Sequence, residues 1–237
     1  MARLCLCLNQ VAHIRNSKNS KVPDPVAFAI AAEMAGIDGI VVQLRQDRSD
    51  ITDRDINLLK EVVRSHLNIA MPLNDEMMKK VLNWLPDMVT LLPSTSSATS
   101  DDSLDVFNNL AYLEEAVQTF RAHNVVVNML IEPEPQQIRS AARAQTDYVQ
   151  FNTSALAAIN DLGELGDQLQ QLKSATLAAN KIGLGISVGR GLETQLIQEM
   201  NQLEHVEEYN VGWAIISRAM LVGLDKAIYD FKKLIEA

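Results

Sequence analysis

The stretch that decides the fold is Gly39-Ile40-Val41-Val42-Gln43-Leu44-Arg45-Gln46-Asp47-Arg48-Ser49-Asp50-Ile51-Thr52-Asp53-Arg54-Asp55. A short β-branched apolar run breaks into a charged loop, and the loop runs into a helix start. Thr52 followed by Asp55 has the form of a capping box, and Asp53 and Asp55 place negative charge at the positive end of a helix. Upstream, Ala35-Gly36-Ile37-Asp38-Gly39 is a helix stop and a turn into the strand. The charged loop therefore lies at the C-terminal end of a strand, where α/β proteins usually place their chemistry. The innermost residue of that loop, Gln43, carries an amide, which positions a ligand but takes no proton at neutral pH.

The same unit recurs along the chain. Strands are expected at Leu4–Leu8, Gly39–Leu44, Asn68–Met71, Met88–Leu91, Val125–Ile131, Tyr148–Asn152, Gly183–Val188 and Glu208–Val211. Helical periodicity fills the gaps, at Pro25–Ala35, Asp53–Ser65, Asp75–Leu85, Leu104–His123, Pro135–Ala144, Ala155–Asn180, Glu193–Met200 and Ala214–Glu236. Alternation of this kind demands a parallel sheet with right-handed crossovers. Eight such units in 237 residues point to an α/β protein, a single-domain (β/α)8 TIM barrel. The alternative is a doubly wound open sheet, which usually has a glycine-rich first turn; here that turn, Asn9-Gln10-Val11-Ala12-His13, has no glycine. Leu104–His123 and Ala155–Asn180 exceed what one barrel helix needs and are expected to hold extra helical pieces.

Composition narrows the partners. A formal net charge of -9 argues against nucleic acid and anionic membrane surfaces. No apolar run is long enough to span a bilayer, and no N-terminal targeting pattern is evident, so a cytoplasmic location is expected. Cys5 and Cys7 are two residues apart on a strand and face the same side; they read as reduced core residues, with no second ligand pair for a metal. No metal or cofactor is expected.

Three constellations carry possible chemistry. Glycines close the expected seventh and eighth strands, in Val188-Gly189-Arg190-Gly191-Leu192 and Asn210-Val211-Gly212-Trp213. Those are the two positions where barrels commonly bind phosphate through backbone N–H groups, and Arg190 adds a bidentate cation. Ordinary turn glycines are the competing reading. The second constellation is Arg45, Asp47, Arg48 and Asp50, either a solvated ion-pair network or, through Arg45, a hold on an anionic ligand. The third is the general acid–base set. Of four histidines only His13 is placed in a loop on the catalytic face, while His66, His123 and His205 lie near helix C-termini. Glu132, at the end of the fifth strand, is the best candidate carboxylate. The Ser/Thr-rich run from Pro93 to Ser103, with Ser100 a candidate ligand contact, is read as either a mobile lid or a connector.

Across almost its whole length the chain resembles the pyridoxine 5'-phosphate synthase family of vitamin B6 biosynthesis. The landmarks are Asn9, Arg15-Asn16, Pro23-Asp24-Pro25 and Ala35 to Ile40. Leu44 to Arg48 with Ile51 to Asp55, Asn68-Ile69-Ala70-Met71, Gly189 to Leu192 and Asn210 to Ala219 complete the set. The resemblance implies a (β/α)8 barrel with added helices, assembled as a homo-octamer. It also implies condensation of 1-deoxy-D-xylulose 5-phosphate with 3-amino-2-oxopropyl phosphate. The departures fall at the chemistry. Gln43 stands where the family keeps a catalytic histidine, Ala70 where it keeps a glutamate base, and Arg190 where it keeps a histidine acid. Gln150 replaces a glutamate that supports the transition state. Gln10 and Val11 stand in place of an Asp-His pair, Lys18 matches a phosphate-binding arginine, and Asp50 and Trp213 replace ligand-contacting histidines. Asn9, Arg45, Gly191 and Gly212 remain. A barrel that holds a phosphorylated small molecule with little proton-transfer capacity is the expectation; an enzyme with a rearranged site, or a structural partner of an authentic synthase, are the alternatives.

Overall fold

In a computed structural model that describes residues 2–94, 102–159 and 161–236, all eight expected strands form. They are β1 (Arg3–Cys7), β2 (Gly39–Gln43), β3 (Leu67–Pro72), β4 (Met88–Leu92), β5 (Val126–Ile131), β6 (Tyr148–Asn152), β7 (Gly185–Gly189) and β8 (Glu208–Val211). Each pairs in parallel with the next in sequence, and β8 closes on β1 with Arg3 opposite Glu208 and Leu6 opposite Val211. The closed eight-stranded parallel barrel is the (β/α)8 fold that the alternation called for.

The helices are α1 (Asn9–Ser17), α2 (Pro25–Met34), α3 (Asp53–Val62), α4 (Asp75–Trp84), α5 (Leu110–Arg121) and α6 (Pro135–Arg143), then α7 (Ser154–Ala157), α8 (Leu162–Lys181), α9 (Thr194–Met200), α10 (Trp213–Val222) and α11 (Leu224–Glu236). The capping box at α3 is formed in both directions: Thr52 N donates to Asp55 Oδ2 at 3.0 Å, and Asp55 N donates to Thr52 Oγ1 at 3.3 Å. Leu4, Leu6, Ile69, Val89, Val127 and Val149 face the helices and build the main apolar core. The alternate positions face the barrel axis, and many are polar. Asn68, Thr90, Asn128 and Ser187 are fully buried or nearly so, and hydrogen bonds run from Asn128 to Thr90 and Ser187 and from Thr90 to Asn68. Barrels more often fill this space with branched apolar side chains.

Three expectations need correction, and one, the division of Ala155–Asn180, is met. Asn9 to His13 is not a loop but the start of α1. The carbonyl of Leu8 accepts from Val11 N at 3.0 Å and Ala12 N at 3.2 Å, so the helix begins as the strand ends. The helix expected over Leu104–His123 begins only at Leu110, because Asp105 competes for local donors: its Oδ1 accepts from Asn108 N and its backbone oxygen accepts from Asn109 Nδ2. No extra helix forms there among the described residues. Ala155–Asn180 does divide, into α7 and α8, where Asp161 accepts from Glu164 N at 2.9 Å and starts a new helix. Ala214–Glu236 divides at Gly223, whose φ of 85° ends α10.

Candidate functional site

A cavity of about 300 Å³ opens at the C-terminal ends of the strands. On the side of β2 it is walled by Gln43 and Arg45, and Asn9 fixes both. Asn9 Nδ2 donates to Gln43 O at 2.8 Å, and Gln43 N donates to Asn9 Oδ1 at 2.7 Å. One amide side chain thus continues the β1–β2 ladder beyond the end of β1 and pins the position of Gln43.

The charged loop divides by function. Arg48 Nε donates to Asp53 Oδ1 at 2.7 Å, and Lys80 joins the same carboxylate at 2.7 Å. The Asp47 carboxylate accepts from Ser49 N at 2.9 Å, and the bond holds it below the usual carboxylate range. These are local structural pairings. Arg45 instead lines the cavity, with Nε on Asp50 Oδ2 at 2.9 Å and both side chains largely buried. Asp50 therefore orients Arg45 rather than lining the cavity itself. His13 Nδ1 lies 3.6 Å from the other Asp50 oxygen, on an α1 surface where its side chain is 77 % exposed.

The floor is made of amides and small side chains. Ala70, Thr90 and Gln150 line it, and Asn210 Nδ2 donates to Gln150 Oε1 at 3.2 Å. Cys7 also faces the cavity. Burial pushes its thiol up to about 12, although the Arg190 guanidinium pulls the other way. It is thus no thiolate nucleophile near neutral pH.

The far wall is the β7–α9 loop and the start of α10. Arg190, Gly191, Gly212 and Trp213 all line the cavity, as does Glu193. Gly191 has a φ of 67°, and a Cβ there would lie 2.6 Å from Ala157 Cβ. At Gly212 a Cβ would meet Gln10 Oε1 at 2.7 Å and Cys7 Cβ at 3.0 Å. Gly212 is also the N-cap of α10 and offers no side-chain acceptor to the first-turn N–H groups. Those groups have no intrahelical acceptor and sit at the positive end of the helix dipole.

The structure thus gathers Asn9, Gln43, Arg45, Ala70 and Gln150 with Arg190, Gly191, Gly212 and Trp213 around one space. Other expected site residues lie apart from it. His13 is a surface helical residue, and the structure overturns its placement in a loop. Lys18 is exposed at the C-cap of α1 and does not line the cavity. Glu132 does not line it either: its Oε1 accepts from Ser103 Oγ at 2.6 Å and Asn152 Nδ2 at 3.1 Å. Ser100 lies outside the described residues, as does most of the Ser/Thr-rich run. Cys7, Thr90, Asn210 and Glu193 are lining residues that sequence reasoning missed, and Gln10, noted only for standing in place of an Asp-His pair, lines it too. Period-two alternation back from Gly212 was the available signal for Asn210, and the one for Glu193 was its closeness to Gly191. Among the described residues no group of three or more His, Cys, Asp or Glu side chains is placed to hold a metal. No helix among them is long and apolar enough to cross a membrane.

Comparison with known proteins bears on this geometry. A sequence model described as "Pyridoxal phosphate biosynthesis protein PdxJ" matches residues 4–237. A pyridoxine 5'-phosphate synthase of Geotalea uraniireducens is 40 % identical over 237 residues, covering 100 % of this chain and 99 % of that protein. A pyridoxine 5'-phosphate synthase of Geobacter metallireducens is 39 % identical with the same coverage. Among solved structures, KGPDC from Streptococcus mutans superposes with a TM-score of 0.67 at 12 % identity, covering 100 % of this chain and 98 % of that one. A 3-keto-L-gulonate-6-phosphate decarboxylase from Vibrio cholerae superposes with a TM-score of 0.64 at 12 % identity, covering 99 % and 97 %. At such identities these structures share the barrel fold alone.

Proposed function

The chain belongs to the family of the pyridoxal phosphate biosynthesis protein PdxJ, and on that premise we propose that it binds a phosphorylated metabolite while closing the pyridoxine ring poorly or not at all. One observation carries the proposal. The positions where the resemblance places proton-transfer groups are Gln43, Ala70 and Arg190, and all three face one cavity. No histidine lines that cavity among the described residues, and Glu193 is the one carboxylate that does. Ring closure with loss of water and phosphate needs protons moved at several atoms, and each positioned acid or base contributes about 10²–10⁴-fold. Amide, methyl and guanidinium groups do not serve as general acids or bases near pH 7.

The binding half rests on what is left. Gly191, the N-terminus of α10 and Arg190 offer N–H donors and positive charge to a phosphate. Gln43, Gln150 and Asn210 offer amide donors and acceptors to hydroxyl and carbonyl groups. Glu193 favours a second reading, in which a displaced carboxylate supports residual chemistry.

The test uses purified protein with 1-deoxy-D-xylulose 5-phosphate and 3-amino-2-oxopropyl phosphate, beside the 40 % identical Geotalea relative. Pyridoxine 5'-phosphate formation should fall at least about 10⁴-fold below the relative, the loss of several groups acting as a unit. Calorimetry should still detect 1-deoxy-D-xylulose 5-phosphate, bound more weakly by Arg45→Ala. Turnover close to the relative's would refute the impaired reading. Slow turnover abolished by Glu193→Gln would establish the second.

A further inference from the structure

Two consecutive residues of the β7–α9 loop lie in the left-handed region, Arg190 with φ 80° and Gly191 with φ 67°. Glycine tolerates that conformation, but arginine does not do so without restraint, and such strain persists only where the surroundings over-determine it. The restraint comes from Thr153. Its backbone N donates to Gly189 O at 3.0 Å. Its hydroxyl lies 3.1 Å from Gly189 O and 2.5 Å from Arg190 O, one proton shared between two carbonyls.

The use of that hydroxyl is unusual. Thr153 is the N-cap of α7, where a threonine oxygen ordinarily accepts from a first-turn N–H, yet it makes no such bond. Asn152 Oδ1 takes the donor instead, accepting from Ser154 N at 3.1 Å. Thr153 is fully buried and does not line the cavity, so it touches no ligand there. Of its two partners Arg190 lines it, as does the next residue, Gly191. In a trans peptide the N–H points opposite to the C=O. With the carbonyls of Gly189 and Arg190 turned to Thr153, the N–H groups of Arg190 and Gly191 are turned away from it. Successive N–H groups presented in this way form an anion-binding concavity.

We propose that Thr153 is a positioning residue: it holds Arg190 and Gly191 in the left-handed conformation that presents their N–H groups, and the Arg190 side chain, to an anionic ligand. The proposal rests on the phosphate-binding reading above for its ligand, but not for its geometry. Two arms keep these apart. In the first, calorimetry compares 1-deoxy-D-xylulose 5-phosphate with unphosphorylated 1-deoxy-D-xylulose. Thr153→Val keeps the shape and removes the hydroxyl. It should weaken the phosphorylated ligand about ten- to a hundred-fold and the unphosphorylated one little, whereas Thr153→Ser should stay within about three-fold of the parent. A merely structural threonine would not change that ratio. In an Arg190→Gly background, which needs no restraint, the Thr153→Val effect should shrink to under about three-fold.

The second arm needs no ligand. Trypsin cleavage after Arg190 should quicken at least about ten-fold in Thr153→Val and not in Thr153→Ser, while cleavage after Arg218 stays unchanged. If the parent protein binds neither ligand, the phosphate reading falls and the cleavage rates still decide the role of Thr153. Unchanged cleavage after Arg190 in Thr153→Val overturns the proposal.

Discussion

Replacing Gly191 by alanine perturbs the phosphate-facing loop at its tightest point, and the structure supplies an internal control. The new Cβ would stand 2.6 Å from Ala157 Cβ, against an ordinary carbon–carbon contact of about 3.5–4.0 Å. Ala157 Cβ is fixed to the backbone of α7, so no side-chain rotation relieves the overlap, and the loop or the helix must move by about 1 Å. Left-handed backbone costs alanine about 1–2 kcal/mol. Overpacking of this kind adds about 1–3 kcal/mol, for a total of about 2–5 kcal/mol. Gly36 also has positive φ, 91°, but nothing lies within 4 Å of a Cβ built there. Gly36→Ala should therefore cost only the conformational part, about 1–2 kcal/mol. The two variants should differ by about 2–12 °C in midpoint, Gly191→Ala being lower, since 1 kcal/mol moves a domain of this size about 2–4 °C. Urea titration and thermal unfolding measure that gap. A displacement of about 1 Å also misaligns N–H groups that must meet phosphate oxygens, so affinity for 1-deoxy-D-xylulose 5-phosphate should fall at least about ten-fold in Gly191→Ala. Gly36→Ala should retain it. Equal midpoints and equal affinities for the two variants would refute the steric reasoning.

Two further outcomes follow from buried titratable groups. Arg15 donates to both oxygens of buried Asp55 at 2.8 and 2.9 Å. Arg15→Met, which leaves that carboxylate to Arg54 and Thr52, should cost about 3 kcal/mol in urea unfolding at pH 7; a loss under about 1 kcal/mol would contradict the weight given to the pair. Burial alone would raise the Asp55 carboxyl, but hydrogen bonds from Arg15 and Thr52 outweigh it and hold it below the usual range. Its contribution is therefore complete above about pH 4 and is lost as pH falls through the native value, a limb that Arg15→Met should flatten. At the other extreme, burial pushes Cys7 and Tyr209 each up to about 12. Stability from these groups is complete below their unfolded values of about 8.5 and 10 and declines as pH rises toward 12. Thermal midpoints should fall from about pH 9 upward, later in Cys7→Ala; a flat profile to pH 11 in the parent would count against burial as the cause.

The barrel was legible because eight apolar runs, each stopped by turn residues, alternate with helices, and the glycine-rich first turn of the competing open sheet is absent. The same runs concealed their inner faces. Asn68-Ile69-Ala70-Met71 reads as an apolar strand with one amide, and only closure of the barrel shows that Asn68 and Ala70 share the interior. Site residues at strand ends, such as Gln43, Arg45, Gln150 and Gly191, fell where they were expected because the strand sets their position. His13 did not. The helix α1 starts within one residue of β1, and nothing in Asn9 to His13 marks that start as clearly as Thr52 and Asp55 mark α3. Glu132 occupied the right strand end, but its oxygen is taken by Ser103 and Asn152, residues distant in sequence. Thr153 was beyond reach for the same reason. Its role lies in the direction of one hydroxyl toward a carbonyl 37 residues away, and its local sequence reads as an ordinary N-cap.

These contacts bear on how such a site would keep binding while losing chemistry. On the proposed reading, binding at the β7 and β8 loops would depend on backbone N–H groups, on the left-handed turn at Arg190 and Gly191, and on supports such as the buried Thr153 and the helical Ala157. No single side-chain change other than to proline removes a backbone donor, and a change at a support carries a folding cost of the size worked out for Gly191. Proton transfer, as the resemblance implies it, would depend on individual side chains at the positions held here by Gln43, Ala70 and Arg190, which line an open cavity. Exchange there costs the fold little, since an amide or methyl in place of an acid or base disturbs no core packing. On that basis binding should be the more durable property. A loop still shaped for phosphate, as proposed, beside an amide-lined floor would then be the combination expected when selection on the reaction relaxes while selection on the fold persists. Restoring Gln43→His, Ala70→Glu and Arg190→His together bears on the same point. Arg190→His keeps the left-handed position that Thr153 restrains, so ring closure should rise in the triple variant if the scaffold is intact. No gain at all would mean that these three side chains are not sufficient, and would point to Gln10 and Val11, which stand where the resemblance places an Asp-His pair.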